Sequence, residues 1–124
     1  MKNKKQNVAV LGASPRPERY SNKAVKMLLN HGHNVIPLHL SATTIENIKV
    51  LHDLDQIDSK IDTLTIYVSP EHLQPLEQKI ISLNPARIIF NPGSENSELI
   101  NNFRDNGIEV IEACTLVLLS TGQF

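Results

Sequence analysis

The feature that most constrains this chain is an alternation. Short β-branched apolar runs take turns with stretches of helical spacing along nearly the whole length, a pattern that builds a parallel sheet covered by helices on both faces. "NVAVL" (Asn7–Leu11) is the first strand. Ser21 or Asn22 then caps a helix in which Ala24, Val25, Leu28 and Leu29 form one stripe, and Gly32 follows where a left-handed residue is wanted. "NVIPL" (Asn34–Leu38) is the second strand, which completes a βαβ unit. The stretch 39–61 admits a short helix, a hairpin-like excursion or a loop with a helical turn. "TLTIYV" (Thr63–Val68) is the third strand, and Ser69, Pro70 and Glu71 supply a cap, a first-turn proline and a first-turn acid for the next helix. Leu73, Leu76, Ile80 and Leu83 keep helical spacing, but Pro75 among them requires that helix to start late or bend. "ARIIF" (Ala86–Phe90), a turn at Asn91-Pro92-Gly93-Ser94, a helix bearing Leu99, Ile100 and Phe103 that ends near Gly107, and the strand "IEVIEA" complete the pattern.

Five strands with helical crossovers predict an α/β, Rossmann-like, doubly wound parallel sheet in the order 3-2-1-4-5. A ligand then binds beyond the carboxyl ends of the strands, where the winding reverses between strands one and four. The 124 residues suit one domain, with residues 1–6 a frayed basic start. Twelve Lys and Arg against 13 Asp and Glu give a formal charge of -1, so no global field marks a nucleic-acid or membrane-surface protein, and any anion site is local. The single cysteine, Cys114, excludes an internal disulfide framework and a cysteine-built metal site, which fits a reducing, cytoplasmic setting. The run "ACTLVLL" is too short to span a bilayer.

The crevice brings two glycine-bearing turns into consideration, Gly12-Ala13-Ser14 and Asn91-Pro92-Gly93-Ser94. The helix that starts near Ser21 directs free N–H groups and a partial positive charge at it, which favours phosphate. Arg16, Arg19 and Lys23 add formal charge. The turn has one glycine where the dinucleotide fingerprint has three, so a stiffer, more open loop wraps its ligand. After the second strand come Leu38, His39, Leu40 and Ser41, with no acid until Glu46, whereas NAD-binding sheets place a carboxylate there for the ribose hydroxyls. A phosphorylated ribose suits this end better, leaving NADP and coenzyme A.

"VAVLGAS", "RYSNKAV", "HGHNVIPL", "YVSPE" and "GIEVIEAC", in this order from Val8 to Cys114, resemble the small stand-alone CoA-binding proteins. Their Rossmann-like domain also forms the nucleotide-binding part of succinyl-CoA synthetase alpha chains. The resemblance implies that Gly12, Ala13 and Ser14 line the diphosphate, with Arg19, Ser21 and Asn22 at the phosphates. Leu38 and His39 would border the adenosine and its 3′-phosphate, Val68, Ser69 and Pro70 the adenine or ribose, and Asn91, Pro92 and Gly93 the pantetheine side. The chain departs from the family's Val-Asn-Pro after strand two, having Leu38-His39-Leu40.

Little in the chain speaks for catalysis. The five histidines are scattered, Cys114 sits between apolar neighbours, and Asp53, Asp55, Asp58 and Asp62 lack the glycine and terminal glutamate of a calcium loop. The expectation is a domain that binds coenzyme A or an acyl-CoA thioester without catalysis, with a protein partner possible and no nucleic acid, membrane or metal. The rival is an NAD(P)-dependent oxidoreductase or other nucleotide-using enzyme. A third alternative is a decayed site whose fold now serves protein contact.

Overall fold

The computed structural model describes residues 4–124; the first three residues of the expected frayed start lie outside them. Five parallel strands form the sheet: β1 (Asn7–Leu11), β2 (Asn34–Leu38), β5 (Thr63–Ile66), β6 (Arg87–Phe90) and β7 (Glu109–Glu112), in the order β2-β1-β5-β6-β7. A small antiparallel pair, β3 (Thr44–Ile45) and β4 (Ile48–Lys49), lies between β2 and β5 in sequence. The helices are α1 (Tyr20–Asn30), α2 (Pro70–Leu73), α3 (Glu77–Leu83), α4 (Ser97–Asp105) and α5 (Thr115–Ser120).

The strands read as near-continuous apolar runs because both sheet faces are covered. Along β1, Val8 and Val10 point to a core shared with Val25 and Leu28 of α1 and Leu119 of α5. Ala9 and Leu11 point the other way, to Leu73 of α2, Ile80 of α3 and Phe103 of α4. Pro75 breaks the expected second helix into α2, a 3-10 turn over Gln74–Leu76, and α3, since proline gives no N–H to an α ladder. The apolar run near the chain end is the helix α5, an element not expected from the sequence; Cys114 is its N-cap residue and is half-buried. Helix α1 begins one residue before Ser21, with Arg19 as its N-cap.

The strand order corrects the expectation of 3-2-1-4-5. The strand over Thr63–Ile66 does not lie outside β2; it pairs with β1 on the other side, Val8 opposite Thr63. The place outside β2 is taken by one bridge, Leu38 with Leu51, in which the Leu51 N–H donates to the Pro37 carbonyl at 3.0 Å. Pro37 presents its carbonyl to that side, and the N–H it lacks would have faced the same way, so the outer strand does not extend. The winding therefore reverses between β1 and β5. The loop beginning at Tyr67, rather than that at Asn91, adjoins the Gly12 turn.

Residue 6 also departs from a frayed start. The Gln6 carbonyl accepts from the Asn34 N–H, its side-chain oxygen accepts from the Thr63 hydroxyl at 2.6 Å, and its N–H donates to His33 Nδ1 at 3.1 Å. His33 is buried against the Phe124 ring, with centroids 5.1 Å apart. Burial, with smaller contributions from the charges of His31 and Arg87, holds its pKa below the ordinary imidazole value of 6.5. The unfolded chain then binds the proton more tightly than the folded one, so the stability due to neutral His33 is present above pH 6.5 and is lost as pH falls through the depressed folded value. Urea midpoints measured from pH 7.5 to pH 5 should fall in the wild type and fall less in His33→Gln; equal slopes would remove His33 from the account.

Candidate functional site

At the carboxyl end of β1 the chain turns at Gly12 with φ +87°. A Cβ at this residue would come within 2.8 Å of Val68 Cγ1 and 3.2 Å of the Tyr67 carbonyl carbon. Glycine is thus required twice, by the left-handed backbone and by the loop after β5 pressed against it. The Gly12 and Ala13 N–H groups both donate to the Leu38 carbonyl, at 3.2 and 3.0 Å. This ties the turn to the end of β2. It also removes two main-chain donors from any anion laid along the loop.

Two cavities meet here, both touched by Gly12 and His39. The first, about 330 Å³, has apolar walls from Leu11, Leu38, Leu54, Val68 and Leu76, with Leu40, His52, Asp53 and His72 completing the lining. The second, about 470 Å³, is lined by Ala13, Ser14, Arg16, Arg19, Tyr20, Ser21, Tyr67 and Pro92. One side of the Gly12 turn is therefore apolar and the other cationic and polar, and both volumes fall in the range usual for ligand sites. Arg16 lies 3.6 Å from Glu18, both highly exposed. Arg19 forms no ion pair among the described residues and stands at the start of the 11-residue α1, beside its first-turn N–H groups.

Ten of the residues expected at the site line these cavities: Gly12, Ala13, Ser14, Arg16, Arg19, Ser21, Leu38, His39, Val68 and Pro92. Six do not. Asn22 is fully buried, and its amide donates to the Ser14 carbonyl at 2.8 Å and to Glu46 at 3.3 Å, so it shapes the loop from behind. Lys23 lies over the Tyr20 ring, 5.5 Å from its centroid. Ser69 and Pro70 start α2, the Ser69 hydroxyl lying 2.7 Å from both Glu71 and His72. Gly93 is exposed and donates its N–H to its neighbour Glu95.

Asn91 is the most instructive of the six. It is buried, donates to the Thr65 hydroxyl at 2.7 Å and the Ile66 carbonyl at 2.9 Å, and accepts from the Thr115 N–H at 2.8 Å. A polar residue just past a strand looked like a ligand contact, but this one joins β5, β6 and α5 internally. Beside it, burial pushes the Tyr67 phenol up to about 12, against a smaller opposing pull from Thr115, so its ring walls the second cavity as a neutral group.

The start of the acidic run has a structural role. Asp53 caps the 3-10 turn Leu54–Gln56 and receives Lys79 Nζ at 2.9 Å. The Asp55 N–H, and then Lys79, hold its carboxyl below the usual carboxylate range. His52, His72, Leu54 and Leu76 escaped the sequence reading because they come from the aperiodic stretch before β5 and the helix broken at Pro75. Tyr67 was visible only as a strand residue.

A family model described as CoA binding domain matches residues 6–120. The chain belongs to the CoA binding domain family. A curated relative, the uncharacterized protein YneT of Bacillus subtilis strain 168, is 24% identical over 106 residues, covering 86% of this chain and 78% of its own. A solved structure of a protein described only as uncharacterized is 37% identical, with a TM-score of 0.92, and covers 98% of this chain and 99% of that one. The CoA binding domain also superposes on part of a dinucleotide-forming acetyl-coenzyme A synthetase of Ca. Korarchaeum cryptofilum in complex with phosphate and ADP. There the TM-score is 0.74 at 19% identity, covering 87% of this chain and 25% of that one, a likeness of fold. The family read from the sequence holds, and the synthetase shares its fold.

Proposed function

We propose that this CoA binding domain binds coenzyme A or an acyl-CoA thioester and does so without catalysing a reaction. The observation that carries the proposal is the pair of cavities joined at Gly12 and His39, one apolar and one bearing Arg16 and Arg19. Adenine is placed in the apolar cavity between Leu38 and Val68. The diphosphate crosses the Gly12–Ser14 turn toward Arg19 and the start of α1, and the pantetheine arm leaves past Tyr67 and Pro92. The close approach of Gly12 to Val68 supports this path, because any side chain at residue 12 would push on Val68, which lines the apolar cavity. The uncharged end of β2 favours a phosphorylated ribose over the free hydroxyls of NAD. In a cytoplasmic setting such a domain senses acyl-CoA, carries it or presents it to a partner enzyme.

Thermal shift and calorimetry with CoA, acetyl-CoA, NAD, NADP and ATP test the assignment: CoA and its thioester should stabilise the protein most, and stronger stabilisation by NADP would favour the oxidoreductase instead. CoA carries about four negative charges near neutral pH. Its affinity should fall about tenfold between 50 and 500 mM salt, because exposed ion pairs are screened within about 10 Å at 0.1 M. An affinity indifferent to salt would remove the arginines from the phosphate contacts.

A further inference from the structure

Between β2 and β5 the chain inserts the β3–β4 hairpin, whose strands take no place in the main sheet. Its two-residue turn holds Glu46 at φ +51° and Asn47 at φ +64°. Positive φ at both residues is the ordinary geometry of so short a hairpin, and Asn, Asp or Gly usually supplies it. Asn47 fits that rule. Glutamate has no such local reason to occupy the left-handed region, so what holds it there is sought in its side chain.

That side chain reaches the start of α1. Glu46 Oε2 accepts from the Asn22 amide at 3.3 Å, and Lys26, one turn further along the helix, lies 4.0 Å from the same oxygen. Ile45 of β3 is buried in one core with Val25 and Leu28 of α1, so packing also fixes the hairpin to the helix. The Asn22 amide donates in turn to the Ser14 carbonyl at 2.8 Å. From Ser14 the bonds continue along the loop. The Arg16 N–H donates to Ser14 Oγ at 3.1 Å, and the Arg19 N–H donates to the Arg16 carbonyl at 3.1 Å. Pro15 and Pro17 contribute no N–H, which leaves the loop few bonds of its own. One chain of hydrogen bonds thus joins the hairpin tip to the backbone of both arginines that line the second cavity.

Asn22 serves this chain at a cost. It is fully buried, and its side-chain oxygen has no hydrogen-bond partner among the described residues. A buried acceptor without a partner is destabilising, so the amide is explained by what its hydrogens do. The Ser14 carbonyl and the Glu46 carboxylate only accept, and together they hold its NH2 end toward the loop.

Resting on the placement of the diphosphate along this loop, we propose that the β3–β4 hairpin is a brace for the phosphate side of the site. Glu46 is its positioning residue. It touches no ligand; it acts through Asn22 and Ser14 to hold the backbone of Arg16 and Arg19 in place before the ligand arrives.

The test combines amide exchange, read by NMR on the ligand-free protein, with calorimetric titration of CoA. In Glu46→Ala the Arg16 and Arg19 amides should exchange faster than in the wild type. CoA affinity should fall about fivefold or more, because the ligand must then order two long side chains itself. Glu46→Gln should restore both readouts, since its amide oxygen still accepts from Asn22. Both substitutions keep a Cβ in the left-handed turn, so turn strain does not distinguish them. Lys26→Ala should change neither readout. Unchanged exchange in Glu46→Ala overturns the brace, and faster exchange with unchanged CoA affinity overturns its role in binding. Glu46→Gln behaving like Glu46→Ala, or Lys26→Ala matching that loss, also overturns the inference, by removing the hydrogen bond to Asn22 as its route. A wild type that does not bind CoA overturns the binding proposal instead, while the exchange rates, taken without ligand, still decide whether the hairpin holds the loop.

Discussion

Replacing Arg19 by Glu should weaken CoA binding at least about 100-fold while leaving the fold as stable as before. A charge-assisted hydrogen bond contributes roughly 1.5–3 kcal/mol, and reversing the charge adds repulsion to its loss. Two features separate this from a folding defect. The Arg19 side chain is exposed and has no ion-pair partner among the described residues, so its removal uncovers nothing. Its place at the N-cap of α1 is also where a carboxylate interacts favourably with the helix dipole. The substitution therefore favours the helix and disfavours the anion, and thermal unfolding and calorimetry on one sample should part company. Arg19→Lys should retain much of the affinity, losing the paired geometry but not the charge. An Arg19→Glu variant that binds CoA like the wild type would show that the phosphates lie elsewhere.

The largest effect on stability is expected from Gly12→Ala, a loss of about 2–4 kcal/mol, from a backbone held at positive φ and a Cβ forced against its neighbours. Val68 Cγ1 at 2.8 Å belongs to a stiff side chain, and the next contact, at 3.2 Å, is the backbone of Tyr67. Gly107 supplies an internal control. Its φ is +81°, close to that of Gly12, but a Cβ there meets nothing within 4 Å. Gly107→Ala should cost about 1 kcal/mol, the conformational part alone. Urea unfolding of the two variants separates strain from crowding, and the Gly12→Ala variant should also lose CoA affinity, since the added methyl displaces Val68 and Tyr67, which line the two cavities. Equal destabilisation at the two positions would mean that the Val68 loop yields easily.

Much of this fold could be read from sequence because the three central strands, β1, β5 and β6, are buried on both faces. Val8–Leu11, Leu64–Ile66 and Ile88–Phe90 leave no ambiguity of period. The strand order was not legible. It turns on one bridge at Leu51, inside a polar stretch whose two-residue strands are too short to show a period. The positively charged half of the site followed from its position after β1, whereas the histidine-bearing half did not. His52 and His72 are separated by β5 and reach one cavity only because that strand pairs with β1. Asn91 failed in the opposite sense: its type and place suggested a contact, but three hydrogen bonds commit it to the interior.

The Leu38 carbonyl, by occupying the Gly12 and Ala13 amides, shifts the burden of selectivity from scaffold to surface. A glycine-rich cradle hard-wires its preference into the main chain, where change threatens folding itself. On the proposed binding path the discriminating groups, Arg16 and Arg19, sit on exposed side chains, free to drift. On that path descendants of such a protein can trade one cargo for another through a few outward-facing replacements, and a designer seeking new specificity would begin with Arg16 and Arg19 and leave the interior alone.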